Sequence, residues 1–271
     1  MHYVFVTVNY NGYEHTELFI QSVNSIKVQE NDIVDIIVVD NFSDKKDIFK
    51  HEKLIEEYKN VLFIKSKQNL GYFGGMNLGL DKIKNKVQKT ILICNNDLTF
   101  DNQFLINYKD INFASDIFLI APNIITKEGR QQNPHVLDRV SKFEIFQNDI
   151  YFSNYYIGNL VKILFSFVKR KKEKEEKFIK NYPQRVIKRG IGACYILTEN
   201  FLSKFDTLDN KVFLWGEEAV LTHQIEQYGG KTLYTPTLKI IHHESASVNT
   251  IQSKKRYQIL QKSYRAYRDY L

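Results

Sequence analysis

The sequence predicts an α/β fold with a mostly parallel central sheet flanked by helices, and three observations lead there. Apolar, β-branched runs at residues 3–9, 33–40 and 89–94 are separated by stretches of helical spacing, the order in which crossover helices join parallel strands. The runs alternate little between apolar and polar residues, as strands covered on both faces do. Acidic residues follow their ends: Asp40 closes DIIVVD, Asp97 closes TILICNND, and Glu217 and Glu218 close KVFLWGEE. A parallel sheet presents its ligand site at the carboxyl ends of its strands. Carboxylates gathered there can hold a cation, and a cation can hold a diphosphate.

The elements follow in order. Residues 3–9 form a first strand. Thr16 is placed to cap a helix whose Leu18, Ser22, Val23 and Ile26 share one face. Strand 33–40 completes the unit. A charged helix over 46–60 points Ile48, Leu54, Ile55 and Tyr58 inward before a short strand at 61–65, and a helix near 76–86 leads into strand 89–94. Beyond Asp97 the regularity weakens: 101–112 reads as helix, 117–125 as extended, and 131–154 as acceptor-side loops without a period. Strand 186–197, helices 199–205 and 217–228, and strands 231–235 and 238–243 complete the reading.

With 271 residues and 43% hydrophobic content the chain can bury one substantial core. We expect residues 1–250 to form one body, with 1–100 on the donor side and 101–250 on the acceptor side, followed by a basic helix over 251–271. The two cysteines, Cys94 and Cys194, lie in apolar runs and read as small buried thiols; no disulfide framework is indicated, which fits a reducing cytoplasm. MHYVFVTVNYNG reads as a strand rather than an export signal. No run approaches the roughly 20 apolar residues of a membrane-spanning helix.

The formal charge of +7 is unevenly spread: 155–180 and 253–271 carry +5 each, leaving the remainder at −3. As a helix, YYIGNLVKILFSFV (155–168) sets Asn159, Lys162, Ser166 and Lys169 as a polar stripe against a broad apolar surface, followed by KRKKEKEEK. Tyr257, Leu260, Tyr264, Tyr267 and Leu271 share one face of the tail. Such segments suit either an anionic membrane surface or packing on the protein itself. No nucleic-acid reading motif accompanies them.

NLGYFGGMNLG, residues 69–79, lets the backbone approach a ligand at a helix amino end, or serves tight helix-to-strand packing. It lacks the Lys and Ser/Thr of a P-loop and does not open the first crossover as a dinucleotide fingerprint would. Asp97 is a natural oxygen ligand for a divalent ion and Asn95 a weaker carbonyl donor. His242 and His243 end a late strand, where one imidazole can complete the metal site or both can be structural. Glu217 and Glu218 begin a helix after Gly216, where the dipole tolerates carboxylates; the functional alternative is a general base for an acceptor hydroxyl.

Taken together, VTVNYNG (6–12), VVDNFSD (38–44), NLGYFGGMNLG, ILICNND (91–97), GIGACYILTENFL, FLWGEEAVL and TPTLKIIHHESAS resemble the inverting family-2 glycosyltransferases of the GT-A fold, a Rossmann-like nucleotide-diphospho-sugar transferase architecture. The nearest branch holds rhamnosyl- and other O-antigen or capsule sugar transferases. The resemblance implies a nucleotide bound over the first strands, with Asn9 and Asp40 near base and ribose and Asn69, Gly75 and Asn96 in the donor pocket. It implies Mn2+ or Mg2+ held by Asp97 and His242, with Asn95 standing where the first Asp of an Asp-x-Asp element often does. The catalytic base maps to Glu218, with Glu217 as the alternative. Val220 and Gln224 stand where the family has an Asp and an Arg. Implied partners are a UDP-, dTDP- or GDP-sugar donor, a glycan or lipid-linked acceptor, and peripheral contact with the inner face of the cell membrane. A nucleotidyltransferase and a non-catalytic glycan- or nucleotide-binding module are the competing readings. The former wants a basic triphosphate loop at the first turn, where NYNGYEHTE offers no Lys or Arg.

Overall fold

The strands β1 (His2–Asn9), β2 (Ile33–Asp40), β3 (Val61–Lys65) and β4 (Thr90–Asn95) form the parallel half of the sheet. In the computed structural model, which describes residues 1–160, 182–244 and 253–271, five further strands extend it: β5 (Leu98–Phe100), β6 (Ile117–Thr126), β7 (Arg185–Ile187), β8 (Cys194–Leu197) and β9 (Lys231–His242). The order is β3, β2, β1, β4, β8, β6, β9, β5, with β7 also on β9, nine strands in all. Beyond β4 the directions mix: β8 runs antiparallel to β4 and β6, β6 and β9 are parallel, and β5 runs antiparallel to β9.

Successive β1 residues divide the core. Tyr3 and Phe5 point to one face, where they meet Phe19, Ile20 and Val23 of α1 (Tyr13–Asn24), Leu54 of α2 (Lys45–Ile55) and Phe104 of α4 (Phe104–Lys109). Val4 and Val6 point to the other, against Phe73, Met76 and Leu80 of α3 (Tyr72–Leu80), Phe201 of α6 (Glu199–Leu202) and Leu221 and Ile225 of α7 (Glu217–Glu226). Period-2 alternation with apolar residues on both faces is what helices on both sides of a sheet require. Cys94 and Cys194 are free and buried, their sulfurs 3.5 Å apart across the β4–β8 pair.

Several expected boundaries move. Helix α1 starts three residues before Thr16, whose hydroxyl instead turns inward to Asn9 Oδ1 and the Gly12 carbonyl, and Leu18 is exposed while Phe19 and Ile20 take the core positions. Of the inward face expected of α2, Leu54 is buried, joined by His51 and Asp47. The expected strand 186–197 is two, β7 and β8, separated by the Lys188–Ala193 segment. Strands 231–235 and 238–243 are one, β9, whose register against β6 jumps between Thr235 and Lys239 around Pro236. The aperiodic 131–154 contains a helix, α5 (Lys142–Tyr151), started by a capping box in which Ser141 and Glu144 satisfy each other's backbone N–H.

The terminal helix α8 (Ser253–Tyr267) packs on the protein. Tyr257 donates to the Tyr151 carbonyl, Tyr264 to Asp149, and Arg268 forks onto the same Asp149 carboxylate. Tyr257 and Tyr264 of the tail's aromatic face are thus spent on α5. Most of the basic segment 155–180 lies outside the described residues; its first turns, 155–160, are helical. Among the described residues no helix is long and apolar enough to cross a membrane.

Candidate active site

The chain crosses from one side of β1 to the other when it passes from β3 to β4, and at such a switch the loops after neighbouring parallel strands part to leave a crevice. Asn9, Asp40 and Asn95 end β1, β2 and β4 at its floor. Asn9 is fully buried and spends its side chain internally: its amide donates to Asp40, Ser43 and Asp47, and its carbonyl accepts from the Gly12 N–H and the Thr16 hydroxyl. Asp40, also fully buried, accepts from Asn9 and from the Ser43 N–H. Asn96 donates to Thr16 at 2.9 Å. These bonds make the three residues part of the crevice floor.

The glycine-rich stretch behaves likewise. A Cβ on Gly75 would lie 2.9 Å from the Val8 side chain, so close packing of α3 on β1 accounts for that glycine. Gly71 has φ +76°, and a Cβ there would fall 2.3 Å from the Phe213 carbonyl oxygen, a position only glycine tolerates. Asn69 accepts from the Asn41 amide and the Gly71 N–H while keeping part of its surface open. Asn41, which the sequence reading passed over inside VVDNFSD, ties the end of β2 to this loop through Asn69, Leu70 and Gly71.

Asp97 and His242 meet. The short β5 pairs Leu98 with His242, the His243 N–H donates to the Asp97 carbonyl, and His242 Nε2 lies 3.2 Å from Asp97 Oδ1. Gln132, also unforeseen, fixes the tautomer. Its amide nitrogen donates to Glu244, so its oxygen faces His242 Nδ1 at 2.7 Å and accepts a hydrogen bond from the Nδ1–H. Nε2 is then the nitrogen turned to the carboxylate, ready to share a proton or a cation with it. His243 bonds Thr99 instead, and burial pulls its pKa down. Asn95 uses its backbone N–H on the Ala193 carbonyl at 2.8 Å.

A carboxylate and an imidazole suit a Mn2+-type ion that takes mixed oxygen and nitrogen ligands. Among the described residues no group of three His, Cys, Asp or Glu side chains could hold a metal alone. The donor set therefore fits an ion completed by substrate phosphate oxygens, the usual situation for ions that work on phosphates.

The third element reaches the same crevice. Ala193, bonded to Asn95, precedes β8, and its neighbour Gly192 donates to Glu218 Oε1 at 3.0 Å and accepts from the Tyr72 hydroxyl at 3.1 Å. A Cβ on Gly192 would touch Glu218. The turn before α7 is held open by two successive left-handed residues, Trp215 at φ +64° and Gly216 at φ +95°. Glu217, 5% exposed, accepts from the Trp215 N–H at 2.9 Å. Burial, reinforced by the charge of Glu218, holds the Glu217 carboxyl well above the usual carboxylate range. Glu218 is half-buried.

Helix α8 closes this side. Tyr267 lies where a Gly216 Cβ would be, Ser263 donates to the Leu214 carbonyl, and the Arg256 guanidinium sits 5.3 Å over the Trp215 ring. Burial and then the Glu218 charge push the Tyr267 hydroxyl up to about 12. Nothing in the spacing of the tail announces these contacts. Two surface hollows of about 330 and 350 Å³ lie elsewhere, beside β7 and α7 and at the amino ends of β1 and β2, and neither includes Asp97, Glu218 or His242.

The mixed α/β sheet, with its switch point and the strand-end residues gathered there, has the GT-A architecture of known glycosyltransferase structures. Two solved structures share it at low identity: GalNAc-T7 with UDP, GalNAc and Mn2+ (TM-score 0.58, 14% identity, 96% of this chain and 48% of that one), and the mannosyltransferase PcManGT from Pyrobaculum calidifontis in complex with GDP-Man and Mn2+ (TM-score 0.56, 10% identity, 90% and 57%). The chain thus spans about half the length of these structures. Residues 5–108 match the family model described as Glycosyl transferase family 2, which bears out the resemblance to that family over the donor half. No curated protein sequence matches the chain.

Proposed function

We propose that this chain is an inverting glycosyltransferase that moves a sugar from a nucleoside diphosphate to a hydroxyl of a glycan or lipid-linked acceptor in surface polysaccharide assembly. The observation that carries this reading is the meeting of Asp97 with His242 at the end of β4, two residues from the Asn95–Ala193 bond that leads to Glu218. Asp97 and His242 would hold a divalent ion, which when bound offsets charge on the departing diphosphate. Gln132 keeps the His242 nitrogen oriented for that role.

Glu218 is the better base of the acidic pair. It is partly open, and the Gly192 N–H fixes one oxygen, leaving the other for an acceptor hydroxyl. Glu217 is buried and braces the turn through Trp215. A proton passing to Glu218 as the acceptor oxygen attacks the anomeric carbon gives one displacement and inversion, with no covalent glycosyl-enzyme.

Membrane attachment belongs to the same reading. Phe143, Phe146 and Ile150 of α5 and Tyr156, Ile157 and Leu160 just beyond are exposed, immediately before the basic run 169–177. An apolar face joined to a cationic stretch suits an anionic leaflet.

The test is a panel of UDP-, dTDP- and GDP-sugars screened for turnover with Mn2+ or Mg2+, on wild type and Glu218→Gln. Turnover of one donor by wild type, lost in the variant, is expected. Undiminished turnover in Glu218→Gln would remove the base, and no turnover of any donor by wild type would favour a binding module.

A further inference from the structure

Arg189 is 7% exposed, and its Nε and Nη2 have no hydrogen-bond partner among the described residues. A guanidinium cannot shed its charge, so burying it without a counter-ion costs several kcal/mol on general grounds. Its backbone is fixed: the N–H donates to the Val136 carbonyl at 3.0 Å and the carbonyl accepts from Val136 at 2.9 Å. The next residues are pinned as well, Ile191 to the Asn133 side chain and Gly192 to Glu218. The backbone that carries the side chain is therefore fixed on both sides by the bridge to Val136 and the bonds that follow it.

Its direction follows from its neighbours. Burial first and the Glu218 charge second hold the Tyr195 and Tyr267 hydroxyls above their ordinary range, and the Arg189 charge offsets part of that, so guanidinium and carboxylate both lie near these phenols. Guanidinium and carboxylate thus neighbour the same two phenols, and no ion pair joins them among the described residues. The Tyr195 hydroxyl donates to the Gly190 carbonyl at 2.6 Å, and neither Nε nor Nη2 of Arg189 bonds its oxygen or any other acceptor among the described residues. A cation left over beside a base, in a body whose charge outside the two basic segments is negative, is built for an anion that arrives with a substrate.

We propose that Arg189 is the anion-binding residue of the acceptor subsite, taking an oxyanion of the acceptor, a phosphate ester or a carboxylate, while the acceptor's hydroxyl faces Glu218. This rests on the reading of Glu218 as the base and narrows the acceptor to a charged one. A planar fork of donors fits either oxyanion with two parallel hydrogen bonds.

The experiment uses the full chain treated with EDTA, so that no metal at Asp97 and His242 recruits anions, and titrates inorganic phosphate and, separately, acetate by calorimetry. Saturable binding of at least one is expected, weakened about tenfold or more in Arg189→Gln, as loss of a charge-assisted pair implies, and less in Arg189→Lys. Glu218→Gln should bind the same anion more tightly, because a like charge beside it is gone. Response to phosphate alone marks a phosphate-bearing acceptor, response to acetate alone a carboxylate-bearing one, and response to both an oxyanion subsite without preference. Circular dichroism melts check folding; if Arg189→Gln does not fold, the comparison of wild type with Arg189→Lys decides. No saturable binding by wild type, equal binding by the Arg189 variants, or no effect of Glu218→Gln overturns the proposal. Because no sugar donor takes part, these results are independent of whether transfer is observed.

Discussion

The two sides of the crevice are built by different means. On the donor side, residues at the ends of β1, β2 and β4 occupy their places because parallel strands stop there, and local bonds among Asn9, Asp40, Asn41 and Asn69 finish the floor. On the acceptor side, Glu218 is placed by a turn with two left-handed residues, by Gly192 from the segment before β8 and by Tyr267 from the last helix. The first is set by the regular ends of parallel strands, the second by an irregular turn braced from two other segments. Damage should therefore spread differently: donor-side substitutions should act on binding, acceptor-side ones on both rate and stability.

The largest effect expected is on rate. Glu218→Gln should lower kcat by about 10²–10⁴-fold, the usual worth of a positioned base, with the nucleotide affinity unchanged in calorimetry. A parallel loss of nucleotide affinity would break the division between the two sides. Gln132→Ala, which frees His242 to rotate, should weaken Mn2+-dependent nucleotide binding by about 10–100-fold while leaving the melting temperature near wild type.

Stability comes next. Gly71→Ala places a Cβ against the Phe213 carbonyl at a positive φ and should cost about 1–3 kcal/mol in denaturant unfolding, because it pries the donor loop from the acceptor turn. Glu217→Gln tests the turn by pH. The folded-state carboxyl is raised above its ordinary value of 4.5, so the folded protein holds that proton more tightly than the unfolded chain. Stability should then fall as pH rises from the ordinary carboxylate range through the raised value, and the deficit should be complete above it. Glu217→Gln should flatten that decline and be the more stable protein on the alkaline side; an unchanged slope would contradict the assignment. The smallest effect belongs to Tyr264→Phe, which removes the hydroxyl from Asp149 and should cost about 1 kcal/mol.

Legibility in the sequence follows the same divide. Runs such as YVFVTVN and TILICN, with carboxylates past strand ends, were sufficient to predict the parallel half and to bring Asp97 and His242 forward together. Strand β5 escaped because Leu98–Phe100 is too short to show a period, although it is what carries Asp97 to His242. Helix α5 escaped for want of periodicity, yet Ser141 and Glu144 are a capping signature that was there to be used. Gln132 and Arg189 had no local signal, since an amide that orients a histidine and a buried guanidinium without bonds from Nε and Nη2 among the described residues are defined only by what folds against them; Tyr267 was visible on the apolar face of the tail, but not the Gly216 turn it covers.

The most direct test of the account is a titration of UDP and GDP into the protein with and without Mn2+, comparing wild type with Asp97→Ala and His242→Ala. The account predicts that Mn2+ tightens binding of one nucleotide to wild type and does nothing for either variant. Equal Mn2+ enhancement in all three proteins would contradict it.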